Sequence, residues 1–220
     1  MDFCQDFANH WSKGCGKAWS RWKKAWKENL DTSRLKITRK SIALCPIRPF
    51  KTDGRVPFYR CWFLTIPLNF KVLTTWITDE DVLFQYSGTF FSYPFTEQQL
   101  LHYQRKYPDH KFYMDLHPDQ TPFAFGEMVP QDVYTVWLAR ILVGEVKRRG
   151  KGLGESFIRA LLTEARQRFQ VISVDLFVLA DNAAAIRCYS KAGFTFADYD
   201  EISLMHKGKE HPIRRMSLRL

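Results

Sequence analysis

Between Thr135 and Phe169 the chain passes from an almost unbroken apolar run, TVWLARILV, through a loop with glycine at 144, 150, 152 and 154. It then enters a segment whose Phe157, Leu161 and Ala165 recur every four residues, with Ile158 and Leu162 beside them. This reads as a buried strand over 135–143, a loop, and an amphipathic helix over 155–169. The first turn of a helix leaves about four backbone N–H groups without partners. The aligned peptide dipoles place about half a positive charge there. Glycines let a ligand approach the backbone without meeting a Cβ. With Arg148, Arg149 and Lys151 alongside, the segment suits a pyrophosphate. It suits equally a strand-to-helix connection that is merely tight. A nucleoside-triphosphate loop, G-x-x-x-x-G-K-S/T, is excluded because Gly152 stands where the hydroxyl is needed. The dinucleotide pattern G-x-G-x-x-G lacks its third glycine and its opening strand.

Around this unit the chain reads as an α/β (α+β) series. Phe58–Thr65, Lys111–Leu116, Pro122–Glu127, Val171–Leu179, Thr195–Tyr199 and Ile213–Leu218 carry strand patterns, with His117–Thr121 as a hairpin loop. Phe70–Ile77 and Asn182–Ala192 read as helices, the second stopped by Gly193, and Thr96 caps another that Leu100, Leu101 and Tyr103 anchor. A length of 220 residues allows one domain and an appendage. Charge marks the join: residues 1–57 hold 13 Lys/Arg against 5 Asp/Glu, and residues 58–220 hold 20 against 18. The chain therefore divides into a basic extension, 1–57, and a domain, 58–220. In the extension Trp19, Trp22 and Trp26 line one face of a helix over 11–30, and Lys17, Arg21, Lys23, Lys24 and Lys27 occupy much of the rest. Residues 34–57, with Pro46, Pro49, Pro57 and the turn Asp53-Gly54, read as linker. Such a helix suits an anionic membrane surface or nucleic acid, or packing on its own domain.

The sequence has no membrane-spanning run of about 20 apolar residues, and its first residues lack the apolar stretch of a secretory signal. Cys4, Cys15, Cys45, Cys61 and Cys188 are odd in number and form no C-x-x-C pair. Neither a zinc site nor a disulfide framework is expected, and a cytoplasmic protein with reduced thiols and no metal is.

Two stretches, in order, carry a resemblance to a known family. Arg149-Gly150-Lys151-Gly152-Leu153-Gly154 matches the acyl-CoA loop Q/R-x-x-G-x-G/A of the GNAT N-acetyltransferases. Val174–Val178 with Asn182, Ala185, Cys188, Tyr189, Lys191, Gly193 and Phe194 resembles that family's V-x-x-x-N-x-x-A-x-x-x-Y-x-K-x-G-F stretch. Upstream, Trp76–Asp81 and Tyr93–Leu100 resemble the N-terminal half of bacterial members of unassigned substrate. The resemblance covers about residues 62–220 and leaves 1–57 outside. It implies a mixed, mostly antiparallel central sheet flanked by helices, in which strand 135–143 splays from strand 172–179. It implies acetyl-CoA as cosubstrate. The pantetheine arm would pair with the edge at Ile141, Leu142 and Val143, and the pyrophosphate would lie on the amides of Arg149, Gly150, Lys151, Gly152, Leu153 and Gly154. Asn182 would contact the arm, although it is also a good helix N-cap. Tyr189 matches the tyrosine that protonates the departing thiolate, and its alternative is packing at a helix–sheet contact. Direct attack by an amine needs no thiol nucleophile, so Cys188 reads as a small buried residue.

Glu127, ending a central strand, is the first candidate for general base, ahead of Glu145, Asp115 and Asp132. His102, His110 and His117 stand in polar surroundings and read as surface residues. His206 and His211 flank a Lys207-Gly208-Lys209 turn and read as solvated loop, within reach of substrate. The aromatic segment Phe84–Thr96 is expected to flank the acceptor cleft. With Glu80, Asp81, Asp115 and Glu127 it suits a cationic amine such as a polyamine, an aminoglycoside or a peptide N-terminus. The expected function is acetyl transfer to a primary amine of a small molecule or peptide, by a monomer or homodimer. Two alternatives stand: an RNA-associated or ribosomal protein substrate reached through the basic extension, and a non-catalytic acyl-CoA-binding module.

Overall fold

The computed structural model describes residues 48–52, 55–62, 66–117, 119, 121–144, 150, 152–198 and 202–220, with side chains from residue 70 onward. The Trp-bearing helix expected over 11–30 lies outside the described residues. Strands β1 (Arg48–Thr52) and β2 (Arg55–Trp62) pair antiparallel. β1 occupies part of the stretch read as linker. It is the edge of the sheet, where the missing N–H of Pro49 is tolerated, and that proline with Pro46 nearby hid it in the sequence.

Helices α1 (Ile66–Trp76), α2 (Glu80–Ser87) and α3 (Glu97–Lys106) follow. Thr96 caps α3 as expected, accepting the Gln99 N–H. The sequence reading had no helix at α2, yet its signals are ordinary. The Asp79 carboxylate accepts the Val82 N–H at 2.9 Å, Glu80 and Asp81 occupy the first turn, and Gly88 ends the helix at φ +59.

Strands β3 (Lys111–Leu116), β4 (Pro122–Pro130) and β5 (Thr135–Val143) form an antiparallel meander. Helix α4 (Leu153–Arg168) crosses over to β6 (Ser173–Leu179), which runs parallel to β5. Helix α5 (Ala183–Lys191) leads to β7 (Thr195–Phe196), β8 (Ile202–His206) and β9 (Lys209–Arg219). The strand order is β1-β2-β3-β4-β5-β6-β9-β7, with β8 on β9. Among the described residues every other strand pairing is antiparallel, so the sheet is mixed and mostly antiparallel.

Each face of the sheet carries its own core. On one, Val136, Leu138, Val174, Leu176 and Met216 pack with Phe157, Ile158, Leu161 and Ala165 of α4 and Tyr189 of α5. On the other, Met114, Phe112, Phe125 and Leu142 pack with Leu73, Leu83, Tyr86, Leu100 and Tyr103 of α1 to α3. β5 serves both cores because it changes face part-way. Phe125 pairs with Leu142 and Glu127 with Ala139, so Gly126 alone stands opposite Arg140 and Ile141. This is a β-bulge, and Arg140 has φ +48. One extra residue reverses the facing of everything after it. Val136 and Leu138 point to the α4 side, whereas Leu142 points to the opposite side.

Among the described residues no helix is long and apolar enough to cross a membrane, and no group of three or more His, Cys, Asp or Glu is placed to hold a metal ion. The end of β5 is fixed by contact. Gly144 donates its N–H to the Phe123 carbonyl at 2.9 Å, and a Cβ on it would lie 1.9 Å from Cε2 of Trp76. Gly144→Ala should therefore cost about 1–3 kcal/mol of stability, read as a lower urea midpoint at unchanged slope. A variant as stable as the parent would show that the Trp76 contact does not constrain this turn.

Candidate active site

β5 and β6 pair from Thr135↔Ser173 to Leu138↔Leu176 and then part. Each nevertheless continues in register with its other neighbour, β5 with β4 as far as Val143↔Ala124 and β6 with β9 as far as Leu179↔Ile213. The sheet thus opens between residues 139–143 and 177–179. Among the described residues no strand pairs with that edge of β5.

Helix α4 starts at the mouth of this opening. Its N-cap is Gly152, in the left-handed region at φ +83, with no side-chain cap. The first helical bond runs from the Ser156 N–H to the Gly152 carbonyl at 3.0 Å. Gly150 also has positive φ, +82. A Cβ on Gly150 or Gly152 would meet nothing within 4 Å, so these glycines serve backbone conformation and border open space. Gly154 is different: a Cβ there would lie 3.1 Å from Sγ of Cys188 and 3.6 Å from Cγ2 of Val143. The first turn of α4 is wedged between the end of β5 and α5. Leu153, Ile141 and Val143 pack against the α4-side core. Arg149, Lys151 and Glu145 lie outside the described residues.

Asn182 caps α5, its side-chain oxygen accepting the Ala185 N–H at 3.1 Å. Tyr189 is buried in the same core, with its ring 6.3 Å from that of Phe194. Burial pushes its phenol up, so it stays protonated at neutral pH. Burial, with the Glu155 charge, also raises the half-buried Cys188 thiol, which opposes the thiolate a nucleophile requires.

Glu127 lies within β4 and not at its end, on the face of the sheet opposite α4, and is fully buried. Its Oε1 accepts the Tyr103 hydroxyl at 2.9 Å and is 2.7 Å from His110 Nδ1. Its Oε2 accepts from Arg140 Nε, and Arg140 Nη2 donates to the Tyr103 oxygen. The guanidinium also lies 4.6 Å from the Tyr103 ring centroid and 5.0 Å from that of Phe90. Burial raises the Glu127 carboxyl, but the Arg140 charge and the His110 and Arg140 hydrogen bonds outweigh it and hold the group below its ordinary value. His110 is thus part of a buried network and not a surface residue, and His117 is buried against Phe123 at 4.7 Å. The meeting of Arg140, Tyr103 and His110 at Glu127 is not expected from the sequence analysis. The available signal was a single cation inside the apolar run of β5 and a single anion inside that of β4, which would have to meet.

The other acids also have places. Asp81 accepts from Lys207 Nζ at 2.6 Å and is 2.7 Å from His206 Nε2. Asp115 is buried in β3. Asp132 holds the β4–β5 turn by accepting the Tyr134 N–H at 2.7 Å. His206 and His211 belong to strands and pack on Phe84, His206 stacked at 4.2 Å. In the aromatic segment Phe91 and Phe95 are core, while Phe90 and Tyr93 are exposed.

A split parallel strand pair thus lies beside a helix entrance that has no side-chain cap. The comparisons place the chain further. Residues 77–194 match the model of the acetyltransferase (GNAT) family, and the chain belongs to that family. It is 34% identical over 61 residues to the spermine/spermidine N(1)-acetyltransferase of Bacillus subtilis (strain 168). That match spans 28% of this chain and only 40% of the relative. The fold is similar to that of spermidine N-acetyltransferase from Vibrio cholerae solved with CoA and spermine, at a TM-score of 0.61 and 14% identity over 74% of this chain and 95% of the other. It is also similar to aminoglycoside acetyltransferase AAC(6')-Ib solved with coenzyme A and kanamycin, at a TM-score of 0.57 and 17% identity over 73% and 94%.

Because the Glu127 carboxyl is held below its ordinary value of 4.5, its stabilising effect is complete above that value and is lost as pH falls below it toward the lower folded value. The urea midpoint of the parent should drop through this window. Glu127→Gln, which leaves Arg140 unpaired, should begin about 3–5 kcal/mol lower at neutral pH and respond less to acid. Parallel pH curves for the two proteins would contradict this.

Proposed function

We propose that the chain transfers an acetyl group from acetyl-CoA to a primary amine of a small molecule by direct attack. The observation that carries this reading is the opening between β5 and β6 at the glycine-lined entrance of α4. The backbone of Ile141 and Leu142 offers the donors and acceptors of a strand edge that β6 leaves, which an amide-bearing pantetheine arm can use as a neighbouring strand would, with Val143 next along it. The amides around Gly150, Gly152, Leu153 and Gly154, with Arg149 and Lys151 beside them, would hold the pyrophosphate. The dipole of the 16-residue helix α4 reinforces them. Asn182 caps α5 and contacts the arm from the β6 side.

The thioester supplies the activated acetyl group. The lone pair of the neutral amine forms the new C–N bond, the C–S bond breaks as the thiolate leaves, and the nitrogen gives its extra proton to water. Binding along the β5 edge holds the carbonyl where attack occurs, so positioning contributes most of the rate. A strand N–H takes the developing oxyanion charge. Tyr189, a phenol protonated at neutral pH, gives its proton to the departing thiolate. The acceptors named for its relatives, polyamines and an aminoglycoside, support a small amine as substrate class.

Calorimetry with coenzyme A and a thiol-release assay against polyamines, aminoglycosides, amino acids and peptides test the reading. Gly152→Asp places a carboxylate where phosphate should bind, and should weaken coenzyme A by about tenfold or more. Tyr189→Phe should lower turnover about a hundredfold with coenzyme affinity retained. Normal affinity in Gly152→Asp would remove the phosphate seat from α4. Binding without thiol release for any amine would favour a non-catalytic acyl-CoA module.

A further inference from the structure

We infer that Glu127 is a positioning residue and not the proton acceptor: with Tyr103 and His110 it clamps Arg140, and so sets the bulge at which β5 parts from β6. The inference rests on the acetyl-CoA reading above. Arg140 is a long-chain residue in the left-handed region, φ +48, inside a strand, a conformation that persists only where its surroundings impose it. Here they do. The guanidinium is bonded at Nε by Glu127 and at Nη2 by Tyr103, and Tyr103 and Phe90 flank it with their rings. Glu127 is itself fixed by the Tyr103 hydroxyl and by His110. Tyr86, Tyr103, His110 and Arg140 are the titratable groups that act on this centre.

The bulge is what separates the strands. Pairing between β5 and β6 ends at Leu138↔Leu176, two residues before Arg140. If Arg140 returned to ordinary strand geometry, residues 141–143 would exchange faces. Leu142 would leave the α1–α3 core, Val143 would leave Gly154, and the edge could close on 177–179. A proton acceptor must reach the amine directly or through one water. Glu127 instead has both oxygens bonded inside the protein and no exposed surface.

Glu127→Gln, Arg140→Gly and the double variant separate the two roles. Coenzyme A affinity is read by calorimetry, and kcat with its pH profile by thiol release. Glu127→Gln should lose about tenfold in coenzyme affinity, and turnover with it. The double variant should recover most of both, because glycine takes positive φ without an anchor and no buried charge is left alone. Glycine cannot restore a missing base. A folded double variant with parental coenzyme affinity, but turnover as low as Glu127→Gln, would overturn the inference. Tyr103→Phe keeps both charges and removes one clamp. It should weaken coenzyme A a few-fold without moving the acid limb of the kcat profile, and unchanged affinity there would also overturn it. No heat from coenzyme A with the parent would sink the acetyl-CoA reading itself. Parental binding with all variants indistinguishable would sink only this inference.

Discussion

A buried ion pair, Glu127 with Arg140, holds the middle of the sheet in the geometry that everything around the cleft requires. Taking two charges out of water costs several kcal/mol for each, and apolar residues of similar volume would often serve stability as well. The pair therefore explains more as a geometric device than as a source of stability. It bridges β4 and β5 at the point where two residues of β5 face one of β4. It anchors a backbone conformation whose intrinsic cost is about 1–3 kcal/mol. The outcome is a strand that feeds two cores, Val136 and Leu138 on one face and Leu142 on the other, and leaves its neighbour half-way along.

Close backbone approaches then fix the cleft walls. Gly126 admits the Phe157 ring, since a Cβ there would lie 2.9 Å from Cε1, and this seats α4 against the bulge from the other side. Gly154 brings the first turn of α4 between Val143 and Cys188, and Gly144 brings the end of β5 under Trp76. Gly150 and Gly152 have no such contact, which separates the glycines that pack the site from those that border it. The connection is thus held by close contacts at Gly144 and Gly154, while Gly150 and Gly152 are exposed. A helix entrance without a side-chain cap is tolerable there because water or an anion can serve its N–H groups.

The sequence made the strand–loop–helix unit, the second parallel strand, α5 and the Thr96 cap legible, because each rests on local pattern: apolar period, glycine spacing, a capping side chain. What it hid was non-local. Helix α2 is eight residues long and its apolar face continues into the aromatic run that follows, so its boundaries were submerged although Asp79 and Gly88 mark both ends. The first residues of β9 are polar and largely exposed, and β8 is only five residues long and half-exposed, so the stretch around the Lys207–Gly208 turn reads as loop. His110 was misplaced because its partner, Glu127, is 17 residues away on another strand. The bulge left no mark of its own, since positive φ usually announces itself with glycine or asparagine, and here an arginine adopts it. The nearly continuous apolarity of 135–143 suggested burial on both faces, and the reason for it, a change of face at Arg140, became clear only from register.

The acids that the sequence offered to a cationic acceptor are largely committed within the fold. Glu127 serves Arg140, Asp115 is buried, and Asp81 is bonded to Lys207 and His206. The hydrogen bond from Lys207, followed by that of His206, lowers the exposed Asp81 carboxyl. Asp81 is therefore ionised at neutral pH with a cation already in place. These bonds tie α2 to the β8–β9 turn, and Phe84 stacks on His206 between the two. An amine approaching there would meet Asp81 only in competition with Lys207. The exposed Phe90 ring already faces the Arg140 guanidinium, so of the two exposed rings Tyr93 is the one that can attract a further cation, and such a contact at an exposed site contributes only about 0.5–1 kcal/mol. Recognition of charge on this side is thus conditional on opening a contact between two elements, and recognition of an apolar or aromatic acceptor surface is not. The number of acids on this side of the fold therefore overstates the negative charge that it leaves open to a cation.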